Sequence, residues 1–105
     1  DMTSFTLKSG INKGDRRMWM EGARLTDAGL TKGMKGSRHL DGDTVTIHFP
    51  ARDGGRKCTI SGKPARPVID LSGAWVTAFI GDHPNFRTTI ATDGDSIILT
   101  INPSK

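Results

Sequence analysis

Residues 69–77 have the sequence IDLSGAWVT, and residues 18–26, 51 positions earlier, have the sequence MWMEGARLT. At this offset three pairs of positions are identical: Gly22 and Gly73, Ala23 and Ala74, and Thr26 and Thr77. Three further pairs of positions are apolar in both copies. A repeat of about 50 residues in a chain this short predicts two half-domains that complete one shared core.

The length and composition favour one β-rich domain. The chain has 105 residues, of which 34% are apolar and 13 are glycine. A half of this size buries too little surface to fold alone, and glycine-rich sequences favour turns between strands. We therefore expect a single domain over 1–105, with the first repeat near 5–60 and the second near 61–102. The predicted fold class is all-β, with two short helices and pseudo-two-fold symmetry.

Local patterns place several elements along the chain. The alternation TVTIHF at 44–49 predicts a half-buried strand, and strands at 87–92 and 96–101 are predicted to pair across the DGD turn. Short helices are predicted over 22–30 and 73–79. We expect 31–40 to form a mobile cationic loop, and the DGG sequence at 53–55 to connect 44–49 to a return strand at 58–60.

Several classes of protein are disfavoured. A single cysteine, Cys58, excludes an internal disulfide and a cysteine-based zinc cluster. His39, His48 and His83 do not have the spacing of a metal motif, so we expect no metal and no cofactor. No apolar run is long enough to span a membrane, and no signal-peptide pattern opens the sequence. These features predict a cytoplasmic protein with no membrane partner.

The charge is unevenly distributed. The net charge is +4, but residues 1–66 contain 13 lysines and arginines against 7 aspartates and glutamates. Residues 67–105 contain 2 against 4, so the excess of positive charge lies entirely in the first part. A basic half favours an anionic partner, with nucleic acid as the first candidate. The alternative is that the charge serves only solubility.

The second copy resembles a known family. The sequence PVIDLSGAWV at 67–76, followed by a hairpin that ends in GDSIILT at 94–100, resembles the SymE toxin-like proteins. These are relatives of the AbrB and MazE swapped-hairpin proteins, and the GDTVTI pattern at 42–47 in the first copy fits the broader AbrB pattern. The resemblance implies that two copies interleave their hairpins into one swapped-hairpin barrel, fused here in a single chain. It also implies contact with nucleic acid, as in a DNA-binding regulator or a toxin of a toxin-antitoxin or mobile-element system. Because the sequence has no catalytic motif, we expect a non-catalytic, nucleoid-associated protein.

The resemblance implies DNA contacts by basic residues on the strand before each helix. Arg16 and Arg17 precede the first copy, and Arg66 precedes the second. The complete predicted nucleic-acid-binding set is Lys8, Lys13, Arg16, Arg17, Arg24, Lys32, Lys35, Arg38, Lys63 and Arg66. Arginine can engage phosphate or guanine through two hydrogen bonds. Double-stranded DNA is the partner that the resemblance implies. The alternative is that these charges protect an edge strand from aggregation.

Other interpretations stay open. Trp75, which matches Arg24 at the 51-residue offset, either stacks on an unpaired base or belongs to the core. The chain could instead be a module that binds a host or cognate protein through its acidic second part. A ribonuclease would use arginine and histidine side chains as acid and base, and replacing His39, His48 and His83 one at a time would test it. The chain is expected to be a monomeric pseudo-dimer or a homodimer.

Overall fold

The computed structural model describes all 105 residues, and it confirms an all-β fold with two short helices. The first series of elements is β1 (Met2–Lys8), β2 (Gly10–Asn12), β3 (Asp15–Glu21), α1 (Ala23–Thr26), β4 (Lys35–Asp41) and β5 (Thr44–Phe49). The second series is β6 (Arg56–Thr59), β7 (Ser61–Lys63), β8 (Arg66–Ser72), α2 (Ala74–Ile80), β9 (Asn85–Asp93) and β10 (Ser96–Ser104).

The strands form two antiparallel sheets. A six-stranded sheet has the order β1-β9-β10-β5-β4-β6, and a four-stranded sheet has the order β2-β3-β8-β7. Inward-facing residues of both sheets and of both helices form one cluster of 18 buried residues. Met18 and Met20 alternate with the exposed Trp19 and Glu21 on β3, and Val45, Ile47 and Phe49 alternate with half-buried residues on β5. Period-two alternation therefore builds the core, as expected for sheets with one solvated face.

The two series have the same order of elements, three strands, a helix and two strands, and they exchange strands. β1 pairs with β9 of the second series, and β6 pairs with β4 of the first. β3 also pairs with β8, and β5 with β10, so four of the eight strand pairings join the two series. Neither series can therefore complete its sheets without the other.

The register locates a pseudo-two-fold axis. Trp19 lies directly opposite Asp70, and these two positions differ by the repeat offset of 51. Ile47 lies directly opposite Leu99, at an offset of 52 that also relates the β4–β5 turn to the β9–β10 turn. Equivalent positions meet each other only on a symmetry axis. The axis therefore passes through the centres of both sheets.

Two local predictions were wrong. Residues 31–40 are not a mobile loop, because Lys35–Asp41 forms β4 between β5 and β6. The strand at 56–59 does not return alongside β5, because the second side of β5 is occupied by β10, and it pairs with β4 instead. The predicted hairpin across Asp93, Gly94 and Asp95 is confirmed as β9 and β10.

No helix in this chain combines the length and the apolar character that crossing a membrane requires.

Candidate functional site

Two of the arginines predicted to bind nucleic acid, Arg17 and Arg66, are paired with carboxylates. The Arg17 guanidinium donates from Nε to Asp70 Oδ1 at 2.8 Å and from Nη2 to Oδ2 at 2.9 Å. Arg66 Nε donates to Glu21 Oε2 at 2.9 Å, and this hydrogen bond holds the pKa of Glu21 below its usual range. Arg17 and Arg66 do converge on one face. Their charges, however, are locally neutralised, so a phosphate would compete with an existing partner.

Arg16 holds two segments of the chain together. Its guanidinium donates from Nη1 to the Gly81 carbonyl at 2.6 Å and from Nη2 to the His83 carbonyl at 3.0 Å. It also contacts Ser9 Oγ and, at 3.4 Å, the Gly10 carbonyl. Four acceptors occupy most of the donors that a guanidinium carries. The contacts of Arg16 are therefore those of a structural residue.

An uncompensated pair of arginines lies at the other edge of the fold. The β4–β6 register places Arg38 directly opposite Arg56. The two ion pairs of the structure, Arg17–Asp70 and Arg66–Glu21, include neither of them. Burial, together with the charge of Arg56, lowers the pKa of Arg38. Like charges directly opposite each other destabilise a sheet. No carboxylate of the chain pairs with either arginine, so a bound anion would supply the missing counter-charge.

Arg38 also lies on an aromatic ring. Its guanidinium carbon is 3.9 Å from the ring centroid of Trp75, which is half-buried on α2 against the core. A guanidinium stacked on an indole keeps its in-plane N–H groups available for other acceptors. Arg38 is therefore fixed in position without being neutralised.

An open groove of about 680 Å³ surrounds this stack, and it is lined by Arg38, His39, Leu40, Gly54, Gly55, Arg56 and Trp75. Gly55 allows the loop 50–55, which connects β5 to β6, to lie against β4. A Cβ at this position would be 2.6 Å from the His39 ring and 2.8 Å from the Arg38 carbonyl oxygen. Leu40 is 52% exposed. The groove therefore combines two cations with aromatic and apolar surface.

Three further cations lie on the strands and the loop that form this groove. Lys35 begins β4, Lys57 lies opposite Ser37 in the β4–β6 ladder, and the backbone N–H of Arg52 donates to Ser37 Oγ at 2.7 Å. We call the set the β4–β6 basic surface, defined as Lys35, Arg38, Arg52, Arg56 and Lys57. Only Lys35 and Arg38 were predicted from the sequence. The signal for the others is the charge that brackets the turn, in the sequence RDGGRK at 52–57.

The remaining predicted residues do not join this surface. Lys8 ends β1, at the opposite edge of the six-stranded sheet, and Lys13 lies in the β2–β3 turn. Arg24 stacks over Phe5 at 4.6 Å, and Lys63 lies opposite Arg66 on the edge of the four-stranded sheet. Lys32 is exposed in the connection that leads to β4. The structure thus distributes the predicted set over several faces.

The pseudo-symmetry supplies a second groove with different chemistry. The β4–β5 and β9–β10 turns differ by 52 positions, so Ile90 is the counterpart of Arg38. Thr3, which pairs with Ile90, is the counterpart of Arg56, and Arg24 is the counterpart of Trp75. This groove has a volume of about 200 Å³ and is lined by Asp1, Thr3, Arg24, Asp27, Ala28, Ile90 and Thr92. The paired arginines and the indole are therefore features of one groove, and the repeated fold does not require them.

Two of the three histidines come together on the outer face of the six-stranded sheet. The His39 and His48 ring centroids are 5.2 Å apart in an edge-to-face arrangement, and His39 Nε2 is 2.8 Å from Ser37 Oγ. His83 lies elsewhere, with Nδ1 2.9 Å from the Ile80 carbonyl. No group of three or more histidine, cysteine, aspartate or glutamate side chains is arranged to hold a metal ion.

The lowered pKa of His48 predicts that the protein loses stability in mild acid. Burial, and then the charges of Arg52 and His39, lower its pKa, while Asp41 and Asp53 line the same hollow. The unfolded chain therefore takes up a proton near the ordinary histidine pKa of about 6.5, before the folded protein does. The contribution of neutral His48 is complete above this pH and is lost as the pH falls from there towards the folded-state pKa.

Urea denaturation at pH 7.5 and at pH 5.5 measures this effect. Between the two pH values, we expect His48→Gln to lose less stability than the unsubstituted protein does. The matched control, His83→Gln, is expected to lose as much stability as the unsubstituted protein. An NMR titration that places the pKa of His48 at or above the ordinary value would contradict this prediction.

Comparison with known protein families, curated proteins and solved structures finds no match for this chain.

Proposed function

We propose that this protein binds nucleic acid through the β4–β6 basic surface, without catalysing a reaction. The observation that supports this most strongly is the direct opposition of Arg38 and Arg56 with no carboxylate partner. Phosphate oxygens are acceptors that suit the planar donors of two neighbouring guanidinium groups. Arg38 and Arg56 lie on one face of the β4–β6 ladder, and Lys35 and Lys57 alternate with them on the other. A polyanion that follows the edge strand β6 would pass cations of both faces.

The proposal extends to the type of protein. The resemblance of 67–76 and 94–100 to SymE-like and AbrB-like sequences supports a regulator or a toxin of a toxin-antitoxin or mobile-element system. The resemblance leads one to expect interleaved hairpins, and the pairing of the β4–β5 and β9–β10 hairpins through β5 and β10 supports the proposal. A nucleoid-associated location is part of the same proposal.

The salt dependence of binding tests the proposal. Each phosphate that is neutralised releases counterions, and the slope of log K against log salt concentration is about −0.7 per contact for single strands and about −0.9 for duplex DNA. We expect Arg56→Ala combined with Lys57→Ala to make this slope shallower by about 1.5. Fluorescence anisotropy with labelled oligonucleotides at several salt concentrations measures the change.

The matched control removes the same charge elsewhere. Lys8→Ala combined with Lys13→Ala is expected to leave the slope within error, because neither residue lies near β6. Lys13 lies in the β2–β3 turn of the other sheet. Lys8 ends β1, which four strands separate from β6, about 24 Å along the sheet. This distance exceeds the Debye length of about 8 Å at physiological salt. Salt-independent binding, or an equal loss in both variants, would contradict the proposal. Recovery of cleaved RNA from the complex would instead favour the ribonuclease alternative.

A further inference from the structure

The arginine–tryptophan stack is accessible to a ligand. The guanidinium carbon of Arg38 is 3.9 Å from the ring centroid of Trp75. Both residues line the open groove, and both also line a smaller hollow of about 230 Å³. Both residues therefore lie at the surface of the groove. Planar groups of this kind stack on the flat faces of nucleobases.

The groups around the stack provide the rest of a nucleotide-binding site. The exposed side chain of Leu40 extends the apolar surface of the groove along β4. Arg56 lies beside Arg38 on the neighbouring strand, and Lys57 lines the adjoining hollow. A base and its own phosphate would therefore reach complementary groups in the groove and in the hollow beside it.

We propose that this groove binds one unpaired base of a single-stranded nucleic acid. The base stacks on the Arg38–Trp75 pair, and the neighbouring phosphate contacts Arg56 and Lys57. In a duplex both faces of each base are covered by neighbouring base pairs, so a duplex offers this stack no free base. The inference rests on the proposed function and replaces the double-stranded DNA expected from the sequence with a single strand of RNA or DNA.

The pseudo-symmetric groove indicates one such site in each chain. Ile90 and Thr3 stand where Arg38 and Arg56 stand, so the second groove lacks the opposed pair of arginines. Its one arginine, Arg24, lies over the ring of Phe5, which does not line the groove. Asp1 and Asp27 line it, and their carboxylates repel phosphate. Binding should therefore saturate at one base-stacking site per chain.

Tryptophan fluorescence tests this inference without altering the groove. The chain contains two tryptophans, so Trp19→Phe leaves Trp75 as the sole indole reporter. We expect a short single-stranded oligonucleotide to quench its emission in parallel with binding measured by anisotropy. The duplex of the same sequence should bind at least about tenfold more weakly and leave the emission nearly unchanged. Single-stranded DNA and RNA arms determine which sugar is preferred.

A second variant measures the contribution of stacking to affinity. Loss of one base–aromatic stack typically weakens single-strand binding by about 5- to 100-fold, and we expect this of Trp75→Ala. Trp75→Phe retains a ring and should recover part of the loss. Because Trp75 packs against the core, the quenching measured in Trp19→Phe carries the test if the alanine variant does not fold.

The outcomes separate this inference from the proposed function. Duplex binding as tight as single-strand binding, with unquenched Trp75 emission, would overturn the single-strand inference and leave nucleic-acid binding intact. Equal quenching by inorganic tripolyphosphate would also overturn it, because charge alone would then account for the signal. Absence of binding to all oligonucleotides would remove the proposed function itself.

Discussion

Neither half of the chain is expected to fold alone when it is divided between Asp53 and Gly54, whereas an equimolar mixture of the halves is expected to recover the native structure. Four of the eight strand pairings join the two series, so separation leaves β1 without β9 and β6 without β4. A fragment of about 50 residues with half of a shared core is too small to offset its conformational entropy. The expected effect is complete loss of cooperative unfolding in each isolated half.

Circular dichroism and two-dimensional NMR of the fragments 1–53 and 54–105 measure this directly. The mixture should show a cooperative transition whose midpoint rises with protein concentration, because folding is coupled to association. Each fragment at the same total concentration provides the matched control. A fragment that unfolds cooperatively by itself, or as a homodimer, would show that the exchange of strands is not needed for folding.

The repeat could be predicted because both copies meet the same physical requirement at the same position. Gly22 and Gly73 precede the two helices with φ values of 85° and 118°, a region that side chains with a Cβ rarely adopt. The strands before them alternate buried and exposed residues, with Met18 and Met20 matching Ile69 and Leu71. The positive φ therefore requires glycine at the same position of both copies, and the burial pattern requires apolar residues at the same alternate positions.

β4 could not be predicted in this way. Its inward-facing positions include Gly36 and Arg38, so it lacks the alternation of apolar residues that reveals β9. Thr88 and Ile90 stand at the equivalent positions of β9 and give it a readable pattern. The position of β4 in the sheet is decided by its pairing with β5 and β6. That pairing exists only in the folded chain, so the local sequence of β4 does not reveal it.

The candidate site was hidden for the same reason. Arg38 and Arg56 are far apart in sequence, and they become neighbours only because β6 pairs with β4 and not with β5. The sequence instead drew attention to Arg17 and Arg66, whose carboxylate partners lie on a neighbouring strand. A count of charges predicts a basic half, but it does not reveal which cations are already neutralised.

Gly36→Thr is expected to lower the free energy of unfolding by about 3 kcal/mol, because the space beside this glycine is filled by an aromatic ring. A Cβ at position 36 would lie 2.7 Å from the Phe49 ring and 2.5 Å from the His48 carbonyl oxygen. Phe49 is 1% exposed, so its ring has no free direction in which to move. Overpacking of a core typically costs about 1–3 kcal/mol, and contact with backbone places this variant at the upper end.

The second half of the molecule supplies the compensating change. Thr88 is the counterpart of Gly36, and it pairs with Ile101, the counterpart of Phe49. The two halves thus fill equivalent space with a small residue and a large one, or with two residues of intermediate size. We expect Gly36→Thr combined with Phe49→Ile to be more stable than the sum of the two single changes, with a coupling energy of about 1–3 kcal/mol. Urea denaturation of the four proteins measures this coupling, and strictly additive losses would mean that the halves do not pack as equivalents.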